Sequence, residues 1–153
     1  MKRKNTTIKS KGATVLLSMA IGVMTCSPVF AASSSSSWKL DMKHRFVQGC
    51  DTDSYHTLKK GTAYISGEIK NTKKKNKPSG TDPNSIYVLL LREKFGPDEA
   101  VGQAIDLGNK KKISFKNKKL GKTSCNSNKY YLQFYKIYED DYSAKGSGDV
   151  KTE

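Results

Sequence analysis

The stretch Tyr130-Tyr131-Leu132-Gln133-Phe134-Tyr135-Lys136-Ile137-Tyr138-Glu139 decides the fold class. Tyr130, Leu132, Phe134, Lys136 and Tyr138 alternate with Tyr131, Gln133, Tyr135, Ile137 and Glu139, which is the period of a strand. Aromatic residues on both sides predict partial cover on each face. The same alternation appears at Trp38–Val47, where Trp38, Leu40, Met42, His44 and Phe46 form the expected inward side. Gly61–Lys70 repeats it with Ala63, Ile65 and Ile69, and Gly67 marks a bulge or a close approach of another backbone. Ile86–Leu91 is apolar on both faces and rich in strand formers, the pattern of a central strand.

Weaker segments complete the chain. Ala104–Leu107 and Lys112–Lys116 are expected to form a hairpin across Gly108-Asn109. Gly146–Lys151 reads as a short terminal edge strand after a turn at Asp140–Ser143. A single helical turn at Asp98–Ala104 is the one helical expectation. Six to eight short strands at this spacing predict an all-β, antiparallel β-sandwich of Greek-key or jelly-roll type, with a β-barrel as the alternative.

The first 31 residues read as a secretory signal peptide. Lys2, Arg3, Lys4, Lys9 and Lys11 precede the apolar stretch Ala13–Met24, and Val29-Phe30-Ala31 places small residues before a cut after Ala31. Twelve apolar residues span only about 18 Å as a helix, short of a bilayer core. Thr25 before Cys26 departs from the small residue that normally precedes a lipidated cysteine. Ala32–Ser37 reads as a serine-rich spacer, leaving one domain at 38–153. Localisation is therefore expected to be extracellular, with no transmembrane segment after cleavage and a monomeric chain.

The whole chain has 28 Lys plus Arg against 14 Asp plus Glu; without the leader the balance is 23 against 14, a charge of +9. Cys50 and Cys125 then remain, an even number in an oxidising compartment, and a disulfide between them is expected. Such a bridge would stabilise the domain by about 4 to 5 kcal/mol.

Lysine gathers in two runs. Lys70, Lys73, Lys74, Lys75 and Lys77 lead into a Pro- and Gly-containing loop, and Lys110, Lys111, Lys112, Lys116, Lys118, Lys119 and Lys122 form the second group. Their density predicts a polyanion-binding surface, against the plainer use of lysine as a guard on strand edges. Arg45 and Arg92 are the only arginines after the leader, which argues against specific reading of nucleic acid.

Other chemistry has less support. His44 is expected as a structural histidine, and Asp51-Thr52-Asp53-Ser54-Tyr55-His56 puts an acid, a hydroxyl and a base together without a nucleophile-elbow or zinc spacing. A small hydrolase built on His56 is thus a weak alternative. Asp51 with Asp53, Asp98 with Glu99, or Asp140 with Asp141 offer oxygen ligands for a calcium-binding module, but no EF-hand pattern is present. The tyrosines around Tyr130 are assigned to packing in preference to a sugar platform. No cofactor or resident metal is expected.

The lysine-rich leader, the cysteine pair and Tyr131–Lys136 leading to Gly146-Ser147-Gly148 resemble small secreted, single-disulfide β proteins of Gram-positive bacilli. The resemblance covers most of the chain and implies location and fold without assigning a site. The expected function is a non-enzymatic interaction protein that binds an anionic cell-surface or extracellular polymer. A cationic antibacterial or competition protein is the runner-up, though no long amphipathic membrane helix follows the leader.

Overall fold

Period-two alternation becomes strand almost wherever it occurs. The computed structural model describes residues 33–75 and 82–153, so the leader, its cut after Ala31, Cys26, Ala32 and Lys77 lie outside the described residues. The strands are β1 Ser34–Met42, β2 Phe46–Gln48, β3 Tyr55–Leu58, β4 Gly61–Lys73, β5 Tyr87–Arg92, β6 Glu99–Ala100, β7 Ile105–Asp106, β8 Lys112–Thr123, β9 Ser127–Tyr135 and β10 Tyr142–Thr152. They form two antiparallel sheets, one ordered β1-β10-β4-β8 and the other β2-β9-β5-β6, with β3 on β9 and β7 on β5. Neither sheet closes into a barrel. One apolar core joins them: Trp38, Leu40, Ile65, Ile69 and Ile113 from the first sheet and Val88, Leu90, Tyr130, Leu132 and Phe134 from the second.

Several expectations are corrected. Ala104–Leu107 and Lys112–Lys116 do not form a hairpin, because β7 pairs with β5 and β8 with β4, in different sheets. The segment at Gly146–Lys151 is not an edge; β10 starts at Tyr142 and runs between β1 and β4. The serine run is not a spacer throughout, since Ser34–Ser37 pairs with Asp149–Thr152 as the start of β1. His44 is exposed in the bend after β1, where the alternation breaks before Phe46. Asp98–Ala104 contains β6 instead of a helical turn.

The reason β10 can be central despite Gly146, Ser147 and Gly148 lies in one row across the first sheet. Trp38 stands opposite Gly148, Gly148 opposite Gly67, and Gly67 opposite Phe115. The Trp38 and Phe115 rings stack with centroids 6.0 Å apart and planes 10° from parallel. Trp38 also meets Phe134 of the facing sheet at 5.2 Å, and its indole Nε1 donates to the Ser66 carbonyl at 3.2 Å. A Cβ on Gly67 would collide with the indole, and one on Gly148 with the Ser66 carbonyl. The glycines make room for a ring that then covers the strand they would otherwise weaken.

Replacing Trp38 by Ala is expected to cost about 3 to 5 kcal/mol of unfolding free energy in urea titrations, the range for losing a buried large aromatic. Gly148→Ala should also lower the midpoint, whereas Phe95→Ser, at a fully exposed side chain, should leave it within about 0.5 kcal/mol. A Trp38→Ala loss below about 1 kcal/mol would contradict this packing.

Candidate functional site

Strand register lines up lysines that are far apart in sequence. Lys145 on β10 stands opposite Lys70 on β4, and Lys70 stands opposite Lys112 on β8. Directly opposed like charges destabilise a sheet; on β8, the edge of its sheet, Lys112 can also guard against further strand pairing, a use that does not extend to Lys70 and Lys145 on the interior strands. At its margins Lys145 Nζ lies 3.4 Å from Asp41 and Lys112 Nζ lies 3.1 Å from Glu68. The side chains of Lys145 and Lys112 remain 74% and 68% exposed, so these pairs are screened and contribute little. Lys70, in the middle, has no carboxylate within ion-pair distance among the described residues.

The row borders a shallow groove of about 740 Å³ whose wall includes Lys70, Lys111, Lys112, Lys145 and Ser147. Buried Asn71 fixes the neighbouring loop: its backbone N–H donates to the Lys111 carbonyl and its Nδ2 to the Lys110 carbonyl, each at 2.8 Å. Lys110 and Lys111 are thereby held beside Lys112. The Glu68 carboxyl is held below its ordinary range by its hydrogen bonds from Lys112 and Ser114.

The two lysine runs are therefore redistributed by the fold. Lys70 and Lys112 meet with Lys110 and Lys111 nearby, and Lys145, which the sequence reading missed, completes the row. Lys73 lies on β4 opposite Tyr142, Lys74 is engaged by Glu139 at 3.0 Å, and Lys75 is exposed just beyond the strand. Lys116, Lys118, Lys119 and Lys122 follow β8 away from the row, with Lys118, Lys119 and Lys122 opposite Ile65, Tyr64 and Thr62. Lys145 carried no signal of its own because β10 reads as beginning at Gly146; only its pairing with β4 gives it neighbours.

No family model matches the chain, and no curated protein matches it. Among solved structures it is similar to a chain in "Structure of infectious bursal disease virus Gx strain", at 14% identity and a TM-score of 0.33. That match covers 78% of this chain and 29% of the other. A likeness so loose bears on neither fold nor function.

Most of the remaining candidate groups are engaged within the fold, and Asp51 and Asp53 are the exceptions. His56 is buried and its Nδ1 lies 3.0 Å from the Ser36 hydroxyl, beside a 240 Å³ pocket that also includes Trp38, Tyr55 and Phe134. Burial pushes its imidazole pKa down. Asp51 and Asp53 lie in and after a 3-10 turn at Cys50–Thr52 and are exposed. Asp98 accepts from the Tyr131 hydroxyl at 2.5 Å, Glu99 pairs with Arg92 and with Lys94, and Asp140 is occupied by Lys136. Among the described residues no group of three or more His, Cys, Asp or Glu side chains is arranged to hold a metal ion.

The structure does not show the expected Cys50–Cys125 bridge; both cysteines are unpaired in it. The two thiols have different surroundings. Cys125 Sγ contacts the Arg92 guanidinium and lies 3.8 Å from the Tyr130 hydroxyl, while Cys50 interacts with the Tyr131 hydroxyl. Tyr130 and Tyr131 are consecutive on β9, and consecutive strand residues point to opposite faces, Tyr130 into the shared core. Burial chiefly pushes the Cys50 thiol up. Burial also pulls the Cys125 thiol up, but hydrogen bonds from Tyr130 and Arg92 and the charge of Arg92 outweigh it and hold it below the ordinary thiol value.

Iodoacetamide near neutral pH is accordingly expected to label Cys125 several-fold faster than Cys50, because the thiolate is the reacting form. Arg92→Gln should narrow the difference. Labelling of neither residue until a reductant is added would reveal a bridge and contradict the separation of the two thiols.

Proposed function

We propose that the protein is a secreted, non-enzymatic interaction protein, built on a β-sandwich, that binds an anionic polymer of the cell envelope or extracellular space. The observation that carries this reading is the Lys145–Lys70–Lys112 row: three cations placed opposite one another on adjacent strands, with their central member lacking a carboxylate partner among the described residues. Mutual repulsion within the row is relieved when a polyanion lies across it. Exposed ammonium groups suit a flexible chain of repeated phosphates or carboxylates better than a single planar group, for which arginine is the better partner. The binding residues are thus Lys70, Lys112 and Lys145 on the sheet, with Lys110 and Lys111 alongside.

The test compares two doubly substituted chains of equal net charge on immobilised polyphosphate and on isolated bacterial cell walls. Lys70→Gln/Lys112→Gln is expected to weaken retention about 25-fold, taking about fivefold for each lysine facing an anionic surface. Lys59→Gln/Lys60→Gln, at the opposite end of β4, should lose far less, and added salt should erase the difference by screening. Equal losses from the two pairs, or retention indifferent to salt, would overturn the proposal.

A further inference from the structure

The segments next to the lysine row carry exposed large apolar side chains. Phe46 is 45% exposed, Ile137 52% and Tyr138 72%. Phe46 begins β2, directly after the bend Lys43-His44-Arg45, and Ile137 and Tyr138 lie in the loop between β9 and β10. Backbone contacts tie these two loops into one tip: the Lys136 N–H donates to the Arg45 carbonyl at 2.7 Å, and the Arg45 N–H donates to Glu139 at 3.0 Å. The tip and the row share one end of the molecule. Asp41, opposite Lys145, is two residues before Lys43, and Tyr142, which follows the tip loop, is three residues before Lys145.

The outward position of Ile137 and Tyr138 is built in, since the loop is held from beneath. Lys136 is buried, and its ammonium bonds to both oxygens of Asp140, at 2.7 and 2.8 Å, and to the Tyr142 carbonyl at 3.2 Å. Asp140 also accepts the backbone N–H groups of Asn84 at 2.8 Å and Tyr142 at 3.0 Å. With both ends of the loop held by these bonds, Ile137 and Tyr138 between them stand exposed. Around this apolar crest stand the exposed cations Lys43 and Arg45, with the lysine row behind them, and the exposed Glu139 beside Tyr138 is paired with Lys74 at 3.0 Å.

We infer that this end of the protein docks on the surface of an anionic lipid bilayer, with Ile137 and Tyr138 entering the headgroup boundary and Lys43, Arg45 and the lysine row facing the headgroups. The inference rests on the polyanion reading and adds to it, because a water-soluble polymer has no use for the apolar crest. Aliphatic and aromatic tips flanked by cations match both layers that such a surface offers, charge outside and hydrocarbon beneath.

The test uses the chain from Ala32, which contains both sheets, in sedimentation with vesicles of phosphatidylcholine mixed with phosphatidylglycerol and with vesicles of phosphatidylcholine alone. The wild type should bind the mixed vesicles and not the neutral ones. Ile137→Ser/Tyr138→Ser, which leaves the net charge unchanged, should lower vesicle binding at least tenfold while leaving retention on immobilised polyphosphate unchanged. Phe95→Ser, at an exposed apolar residue of the opposite end, should change neither. Vesicle binding by Ile137→Ser/Tyr138→Ser equal to wild type, or polyphosphate retention without vesicle binding in the wild type, would overturn the bilayer inference and leave the polymer reading standing. Loss of salt-sensitive polyphosphate retention in the wild type would instead overturn the reading on which it rests.

Discussion

The arrangement depends on Trp38 lying across the backbone of Gly148 and Gly67. That one ring spans three strands of the first sheet, stacks on Phe115 and reaches Phe134 of the second. A large side chain at either glycine would push β1 away from β10 or β10 away from β4. Without the ring, β10 would be a glycine- and serine-rich strand with little to pack. The placement of β10 then sets the register on both its sides, and that register determines which lysines meet.

How much of this was legible follows from where each residue's partner lies. Trp38, Leu40 and Met42, the apolar side of β4, and Ile86, Val88, Leu90 and Leu91 announce their burial through local patterning, and they are buried, while Tyr87 and Leu89 on the other face of β5 are half-buried. The two-sheet, antiparallel character is a consequence of the same pattern. Residues 146–151 look like an edge because their strand-forming value belongs to Trp38, which is more than a hundred positions away in sequence. Likewise β7 and β8 look like a hairpin because a Gly-Asn turn is a local signal, whereas the pairing of β8 with β4 is a long-range one. The alternation at residues 130–139 also overruns its strand: Lys136 does point inward, but to meet Asp140 and turn the chain, and Ile137 and Tyr138 end outside.

The candidate site divides in the same manner. Lysine density was visible in the chain, but density is not adjacency. Of the second run, Lys110, Lys111 and Lys112 stay with Lys70, and Lys116 to Lys122 travel along β8 toward the other end. Lys145 enters only through the register of β10. The cysteine count pointed to a bridge, yet Cys50 and Cys125 answer to neighbouring tyrosines on opposite faces of β9, a distinction that counting cannot make.

A row of opposed lysines is a cost to the folded chain unless something anionic is present, and this ties stability to binding in one residue. The most direct measurement is the thermal unfolding midpoint of Lys70→Gln at low salt, with and without polyphosphate, beside the wild type. Removing the central charge should raise the midpoint of the protein alone and reduce the further rise that polyphosphate produces, since a ligand of the folded state stabilises in proportion to its affinity. A lower midpoint for the variant alone, together with an undiminished response to polyphosphate, would contradict the account.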